Sequence, residues 1–213
     1  MSGRKLRILL VDDHAVVRGG LRLLLAESGE MEVAGEADSA EQAIGMIRQN
    51  EFDVALLDIG LPGKGGLDLL KQLRSERPGL AVLMLSMYAE EVYAVRALKA
   101  GAAGYLTKNS APATLLAAIR KVARGGKHVS PALLDQLAVE VGQGRKSGSD
   151  ALSDREIEVL RRIAAGESLT HIAAALHLSP KTVTTYRARI VEKTGLQSNA
   201  ELARHALEKG LLS

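Results

Sequence analysis

The hydrophobic pattern of this chain changes period partway along its length. Up to residue 124, short apolar runs alternate with segments whose apolar residues recur every three or four positions. The runs RILLVD (7–12), EVAGEA (32–37), DVALLD (53–58), AVLMLS (81–86) and GYLT (104–107) predict strands. The intervening stretches 15–27, 40–49, 66–76, 90–100 and 112–124 predict helices. Strands alternating with amphipathic helices form βαβ units, which build a parallel sheet covered on both faces. Residues 1–124 are therefore expected to form an α/β doubly wound, five-stranded parallel sheet.

The pattern then breaks. Residues 125–150 open on Gly-Gly, allow a short helix after Pro131, and close in a Gly/Ser/Lys-rich stretch at 142–150 that reads as a flexible linker. From Leu152 onward no strand period remains. The segments 152–166, 169–178, 180–195 and 199–210 predict four helices in a small all-α domain over 151–213. Ser153 followed by Glu156 is a capping-box pattern, and Gly166, Gly195 and Gly210 stand where helices end. There is no internal repeat.

Composition narrows the possibilities. A length of 213 residues suits two domains, and 46% apolar with 25% charged residues is ordinary for a soluble protein. The absence of cysteine excludes disulfides and thiolate metal sites and fits the cytoplasm, where the protein is expected. No run approaches the roughly 18 apolar residues of a membrane span. The N-terminal LRILLV meets DDH too soon for a signal peptide. Aromatics at 2% argue against base-stacking modes of nucleic-acid binding, and a net charge of +3 means that any basic face is local.

The candidate chemistry lies at the strand ends. Open parallel sheets bind ligands beyond the carboxyl ends of their strands. Here those ends carry Asp12-Asp13, Asp58, Ser86 and Thr107-Lys108 on one expected rim. A hard divalent cation relieves repulsion among three carboxylates, and oxygen ligands with retained water suit Mg²⁺. Asp58 can then act as a nucleophile toward a phosphoryl group, forming an aspartyl phosphate. Lys108 would neutralise charge on the group, Ser86 would donate to one of its oxygens, and Gly60 would turn a backbone carbonyl to the metal. Pro62 and Gly63 lead the chain away and keep the site open. Taken singly, each residue has a plainer role: a strand-end aspartate as turn or cap, Tyr105 as core, His14 as a helix-start residue. Their coincidence at four ends of one rim favours the phosphoryl reading.

In the C-terminal part, ESLTHIAAALHLSPKTVTTYRARI has the form of a helix-turn-helix. Ile172, Ala173 and Leu176 make an apolar face, Ser179 caps the second helix and Pro180 opens it. Val183 and Ile190 should face the core. Lys181, Thr182, Arg189 and Lys193 are assigned to the nucleic-acid backbone, and Thr184, Thr185 and Ala188 to base edges in a major groove. A small helical protein-interaction domain is the alternative that this pattern leaves open.

The pieces VDDH, LLDIGLPG, LMLSM and GAAGYLTK closely resemble the receiver domain of two-component response regulators, over residues 6–124. The resemblance implies a flavodoxin-like fold in which a sensor histidine kinase phosphorylates Asp58. Asp12 and Asp13 would hold Mg²⁺, with Asp13 the direct ligand, and Lys108 would bind the phosphate. Ser86 and Tyr105 would be a switch pair: Ser86 moves to the phosphoryl group and Tyr105 rotates inward. Gly65 departs from the family, where Asp or Asn is common. The stretch LSDREIEVLRRIAAG with the following LSPKTV is similar to the DNA-binding domain of LuxR/NarL/FixJ regulators, over 152–212. Both halves together resemble the NarL/FixJ family. That implies a homodimer on double-stranded promoter half-sites, with RNA polymerase as a further partner and no membrane association. The segment LTH (169–171), Thr184 and Tyr186 depart from the family pattern and bear on which operator is read.

Two other readings fit part of this pattern. A haloacid-dehalogenase-like phosphatase would place a second aspartate two residues after its nucleophile, and here that position is Gly60. An unphosphorylated, constitutively dimeric regulator would not need Asp12, Asp13, Asp58, Ser86 and Lys108 together. A phospho-accepting regulator, not an enzyme, is expected.

Overall fold

The structure is a computed structural model that describes residues 4–87, 90–130, 133–134, 152–208 and 211–212. The chain divides into two compact units, residues 1–134 and 135–213. The linker at 142–150 and Gly210 lie outside the described residues. Of the short helix after Pro131, only Leu133 and Leu134 lie inside them.

In the N-terminal unit β1 (Leu6–Val11), α1 (Ala15–Glu27), β2 (Met31–Ala37), α2 (Ala40–Gln49), β3 (Val54–Asp58), α3 (Gly66–Glu76), β4 (Ala81–Ser86), α4 (Glu90–Lys99), β5 (Gly104–Thr107) and α5 (Pro112–Ala123) alternate strictly. The strands form one parallel sheet in the order β2-β1-β3-β4-β5. Because successive side chains alternate across a strand, Ile8, Leu10, Val54, Leu56, Leu83 and Leu85 share one face. They pack there with Leu25 of α1 and Leu115, Ala118, Ile119 and Val122 of α5. The other parity, including Leu9, Val11, Leu57 and Met84, is equally buried, and α2, α3 and α4 contribute Ile47, Leu70, Leu73, Tyr93 and Ala97 to the interior. Cover on both faces explains why these strands read as continuous apolar runs. The outer edge of β5 is closed by a parallel bridge from Gly104 to His128, whose N–H donates to the Ala103 carbonyl at 2.9 Å.

The C-terminal unit contains α6 (Asp154–Ala164), α7 (Leu169–Ala175), α8 (Pro180–Thr194) and α9 (Asn199–Glu208). Ile157, Leu160, Ile163, Ile172, Ala173, Leu176, Val183, Ile190, Leu202 and Ala206 form its buried interior. The expected capping box is present: Ser153 Oγ accepts from the Glu156 N–H, and Glu156 Oε2 accepts from the Ser153 N–H at 2.6 Å. Helix α7 stops at Ala175, earlier than the 178 expected from sequence. His177 adopts φ 53°, a left-handed turn conformation that ends the helix and that histidine tolerates better than most residues.

Candidate functional site

Strand register builds the site. Val11 pairs with Leu57 across β1 and β3, so the next residues, Asp12 and Asp58, emerge level with one another. Strands β1 and β3 lie on either side of the point where strand order reverses, which is where doubly wound sheets bind ligands. Both aspartates have the parity of the α1/α5 face and are buried, at 2% and 4% exposure. Lys108, two strands away at the end of β5, reaches between them. Its Nζ lies 2.7 Å from Asp12 Oδ2 and 2.8 Å from Asp58 Oδ2.

One ammonium is thus shared by two carboxylates. Burial pushes the Asp58 carboxyl above the ordinary aspartate range, with Lys108 pulling it back only in part. Burial also works against the Lys108 charge, but Asp58 and Asp12 more than offset it, and the amine is held above the usual lysine range. Asp58 Oδ1 in addition accepts the Gly60 N–H at 3.1 Å, which fixes the carboxylate plane. The Lys108 N–H donates to the Ser86 carbonyl at 2.6 Å, joining the ends of β4 and β5.

Asp13 is more open, and its Oδ1 meets His14 Nδ1 at 2.8 Å. His14 does stand at the N-cap of α1, as the sequence suggested, but its ring also lies 3.2 Å from Asp12 Oδ1. Ligand atoms of Asp12, Asp13, His14 and Asp58 all lie within 4.8 Å of one another. This oxygen-rich, negatively charged set fits a hard cation such as Mg²⁺, which it could hold. His14 is a site residue that sequence reasoning passed over; its adjacency to the acidic pair was the available signal.

Ser86 and Tyr105 are both fully buried. The register Met84↔Tyr105 and Ser86↔Thr107 puts them on one face, a single pleat apart. Tyr105 therefore already occupies the interior, the position that the resemblance assigns to it after phosphorylation. After β3, Gly63 takes φ +67°, a turn that suits glycine, and Gly65 serves as N-cap of α3 without a side-chain acceptor. The Asp or Asn that the resemblance led one to expect here would supply that acceptor. Its loss to glycine at an N-cap costs only a few tenths of a kcal/mol.

In the C-terminal unit Lys181, Thr184, Thr185, Ala188 and Arg189 are exposed together on α8, and Thr182 is half-buried. Four cations lie between 179 and 193, but two are engaged inside the unit. Arg187 donates to the Gln197 carbonyl and to Asn199 Oδ1, and Lys193 Nζ lies 2.6 Å from Oε2 of buried Glu156. Among the described residues no ion-pair partner is found for Lys181 or Arg189. The cationic face of α8 is narrower than its sequence suggests.

Glu156 has two jobs that sequence reasoning reduced to one, capping α6 and anchoring α8. Burial works to raise its carboxyl, but the Lys193 ammonium and the Ser153 bonds outweigh it and hold it below the ordinary glutamate range. A depressed folded-state value adds stability that is present above the ordinary pKa of 4.5 and is lost as pH falls through the depressed value. Lys193→Met is expected to cost about 2 kcal/mol at neutral pH, reduced from a fully buried pair because Lys193 is part-exposed. The same variant should flatten the acid limb, as followed by urea denaturation of the full chain. A wild-type acid limb left unchanged by the substitution would refute the coupling.

Comparison with known proteins follows the same division. Residues 8–120 match the response regulator receiver domain, and residues 150–206 match the bacterial regulatory proteins of the luxR family. The chain is 39% identical over 209 residues to the response regulator GacA of Pseudomonas viridiflava, covering 97% of this chain and 98% of that one. It is 35% identical over 208 residues to the response regulator UvrY of Escherichia coli K12, covering 97% and 95%. A structure of the response regulator RcsB of Salmonella typhimurium, described in terms of its conformational dynamism for DNA interaction, aligns with a TM-score of 0.72 at 25% identity. That alignment covers 98% of this chain and 100% of RcsB. The chain belongs to the NarL/FixJ family of two-component response regulators, DNA-binding proteins that join a receiver domain to a LuxR-type helix-turn-helix domain. No helix among the described residues is long and apolar enough to cross a membrane.

Proposed function

We propose that Asp58 accepts a phosphoryl group from a sensor histidine kinase and that this modification controls DNA binding by the C-terminal unit. The observation that carries the reading is the level pairing of Asp12 and Asp58 at the switch point of the sheet, with Lys108 between them. An Asp58 carboxylate oxygen attacks phosphorus, the bond from phosphorus to the kinase imidazole nitrogen breaks, and the imidazole leaves. The Gly60 N–H keeps the carboxylate oriented during attack, and the Lys108 ammonium balances charge on the transferred oxygens. Asp12, Asp13, Asp58 and the Gly60 carbonyl would hold Mg²⁺, which when bound supplies further positive charge to those oxygens. The receiver assists its own phosphorylation and dephosphorylation and turns over no separate substrate.

Ser86 then donates to the phosphoryl group, and because Tyr105 is already inside, the movement at Ser86 carries the change to the surface of β4 and β5. The working division is a receiver over 1–124, a linker over 125–150 and a DNA-binding domain over 151–213. Lys181, Thr182 and Arg189 meet phosphates, while Thr184, Thr185 and Ala188 meet base edges. Lys193, placed with the phosphate contacts by sequence, would act first by holding α8 on α6. A cytoplasmic homodimer would read two promoter half-sites, with RNA polymerase as its neighbour there.

The test is the intact mass of the protein after incubation with acetyl phosphate and Mg²⁺. One phosphoryl adduct is expected on the wild type, none on Asp58→Ala, and none on wild type when the metal is chelated first. An adduct persisting on folded Asp58→Ala would refute Asp58 as acceptor.

A further inference from the structure

The outward face of α8 carries a restriction on the bases it can read. Thr184 Oγ1 donates to the Pro180 carbonyl at 3.0 Å, and Thr185 Oγ1 donates to the Lys181 carbonyl at 3.0 Å. A threonine hydroxyl has one proton. With that proton committed to the preceding helical turn, each oxygen presents only lone pairs to a ligand, beside its methyl group. Ala188, one turn beyond Thr184, adds another methyl and no polar atom. Thr184, Thr185 and Ala188 therefore form an exposed acceptor and methyl patch without a free donor, while Thr182, Tyr186 and Arg187 are half-buried.

Base pairs differ in how well they meet such a surface. In the major groove the donors are the adenine N6 and cytosine N4 amines, the apolar feature is the thymine methyl, and guanine offers only the acceptors N7 and O6. An A·T pair in either orientation offers both an amine and a methyl. A G·C pair also offers one amine and two acceptors, as an A·T pair does, but it has no methyl, so the methyl contacts of Thr184, Thr185 and Ala188 are what separate the two pairs on this surface.

We propose that the half-site of this protein has A·T pairs at the positions facing Thr184, Thr185 and Ala188, read through threonine oxygens as acceptors and through methyl contacts. Guanine, which offers only acceptors, finds no free donor on Thr184, Thr185 or Ala188. This rests on the assignment of α8 to the major groove and specifies the sequence class that α8 takes there.

The experiment uses the full chain, treated with acetyl phosphate and Mg²⁺, to select duplexes from a random-sequence pool. Two double variants accompany the wild type. Thr184→Val with Thr185→Val keeps the methyls and removes the acceptors. Thr184→Ser with Thr185→Ser keeps the acceptors and removes the methyls. Both should fold, since these residues are exposed and the substitutions are near-neutral in a helix, and circular dichroism checks it.

The wild type is expected to enrich A·T pairs at the positions where the variants lose preference. In the selected duplex, replacing adenine by its analogue lacking the N6 amine should weaken wild-type binding about tenfold and leave the valine variant unaffected. Replacing thymine by uracil should weaken the wild type and leave the serine variant unaffected. G·C pairs at the variant-sensitive positions, or valine and serine variants that select the wild-type sequence with unchanged discrimination, would overturn the proposal while leaving DNA binding intact. Failure of the wild type to retain any duplex would instead overturn the groove assignment itself, and the proposal with it.

Discussion

Replacing Lys108 with methionine is expected to lower the stability of the receiver by about 3 kcal/mol in metal-free buffer, the scale of breaking a buried ion pair on one side. Asp12 and Asp58 are both buried and share the Lys108 ammonium. Without it, two carboxylates face each other with no counter-charge, and Asp58, already raised by burial, is driven further toward protonation at neutral pH. A divalent cation would relieve the same repulsion, so Mg²⁺ should restore more stability to the variant than it adds to the wild type. Ammonium and metal are in this sense competitors for one pair of oxygens. Phosphoryl uptake should nevertheless fall about a hundredfold, the scale of losing one group that stabilises transition-state charge. Urea denaturation in chelator and in Mg²⁺, with adduct formation rates beside it, checks both halves. Equal Mg²⁺ responses in variant and wild type would show that Lys108 does not compete with the cation.

The strands of the sheet and the site at their ends were legible in the sequence to different degrees. Strand positions were readable because strands buried on both faces must be apolar throughout, and the Gly-Leu-Pro-Gly after Asp58 could only be a turn. Strands β4 and β5 fall where expected, β2 and β3 differ by one residue at their starts, and β1 differs by one at both ends, which places Asp12 just past it. The rim was readable because polar residues at four strand ends are costly unless they have partners there. What the sequence could not carry was pairing at a distance. That Lys108 spans two strands to reach both aspartates depends on the register of β3, β4 and β5 together. The Glu156–Lys193 pair joins residues 37 apart, each of which had a sufficient local explanation, one as a cap and the other as a phosphate contact. The inward proton of Thr184 and Thr185 was equally hidden, since a threonine in a sequence reads as donor and acceptor alike.

The same limit applies to Gly66, which sequence alone marks only as the start of a helix. Gly66→Ala is expected to destabilise the receiver by about 3 kcal/mol or more, an overpacking effect at the upper end of its usual range. A Cβ there would stand 2.1 Å from the Asp58 carbonyl oxygen, 2.8 Å from Ile59 Cα and 2.9 Å from the Asp58 carbonyl carbon. All three are backbone atoms, so no side chain can swing aside, and the Gly66 N–H is itself bonded to the Ile59 carbonyl at 3.1 Å. Either α3 lifts from the sheet or the end of β3 shifts. The second outcome moves the Asp58 carboxylate away from Asp12 and Lys108, and a displacement near 1 Å can reduce a positioned reaction about a hundredfold. Gly45→Ala supplies the contrast. Gly45 lies within α2 with nothing inside 4 Å of its added Cβ, and alanine there should stabilise by about 1 kcal/mol through helix propensity. Urea denaturation of both variants, with phosphoryl uptake measured in Mg²⁺, separates backbone crowding from a general glycine effect. A Gly66→Ala protein as stable and as readily phosphorylated as the wild type would mean that α3 can retreat without moving Asp58, and that the close packing of α3 on β3 is not what positions the acceptor.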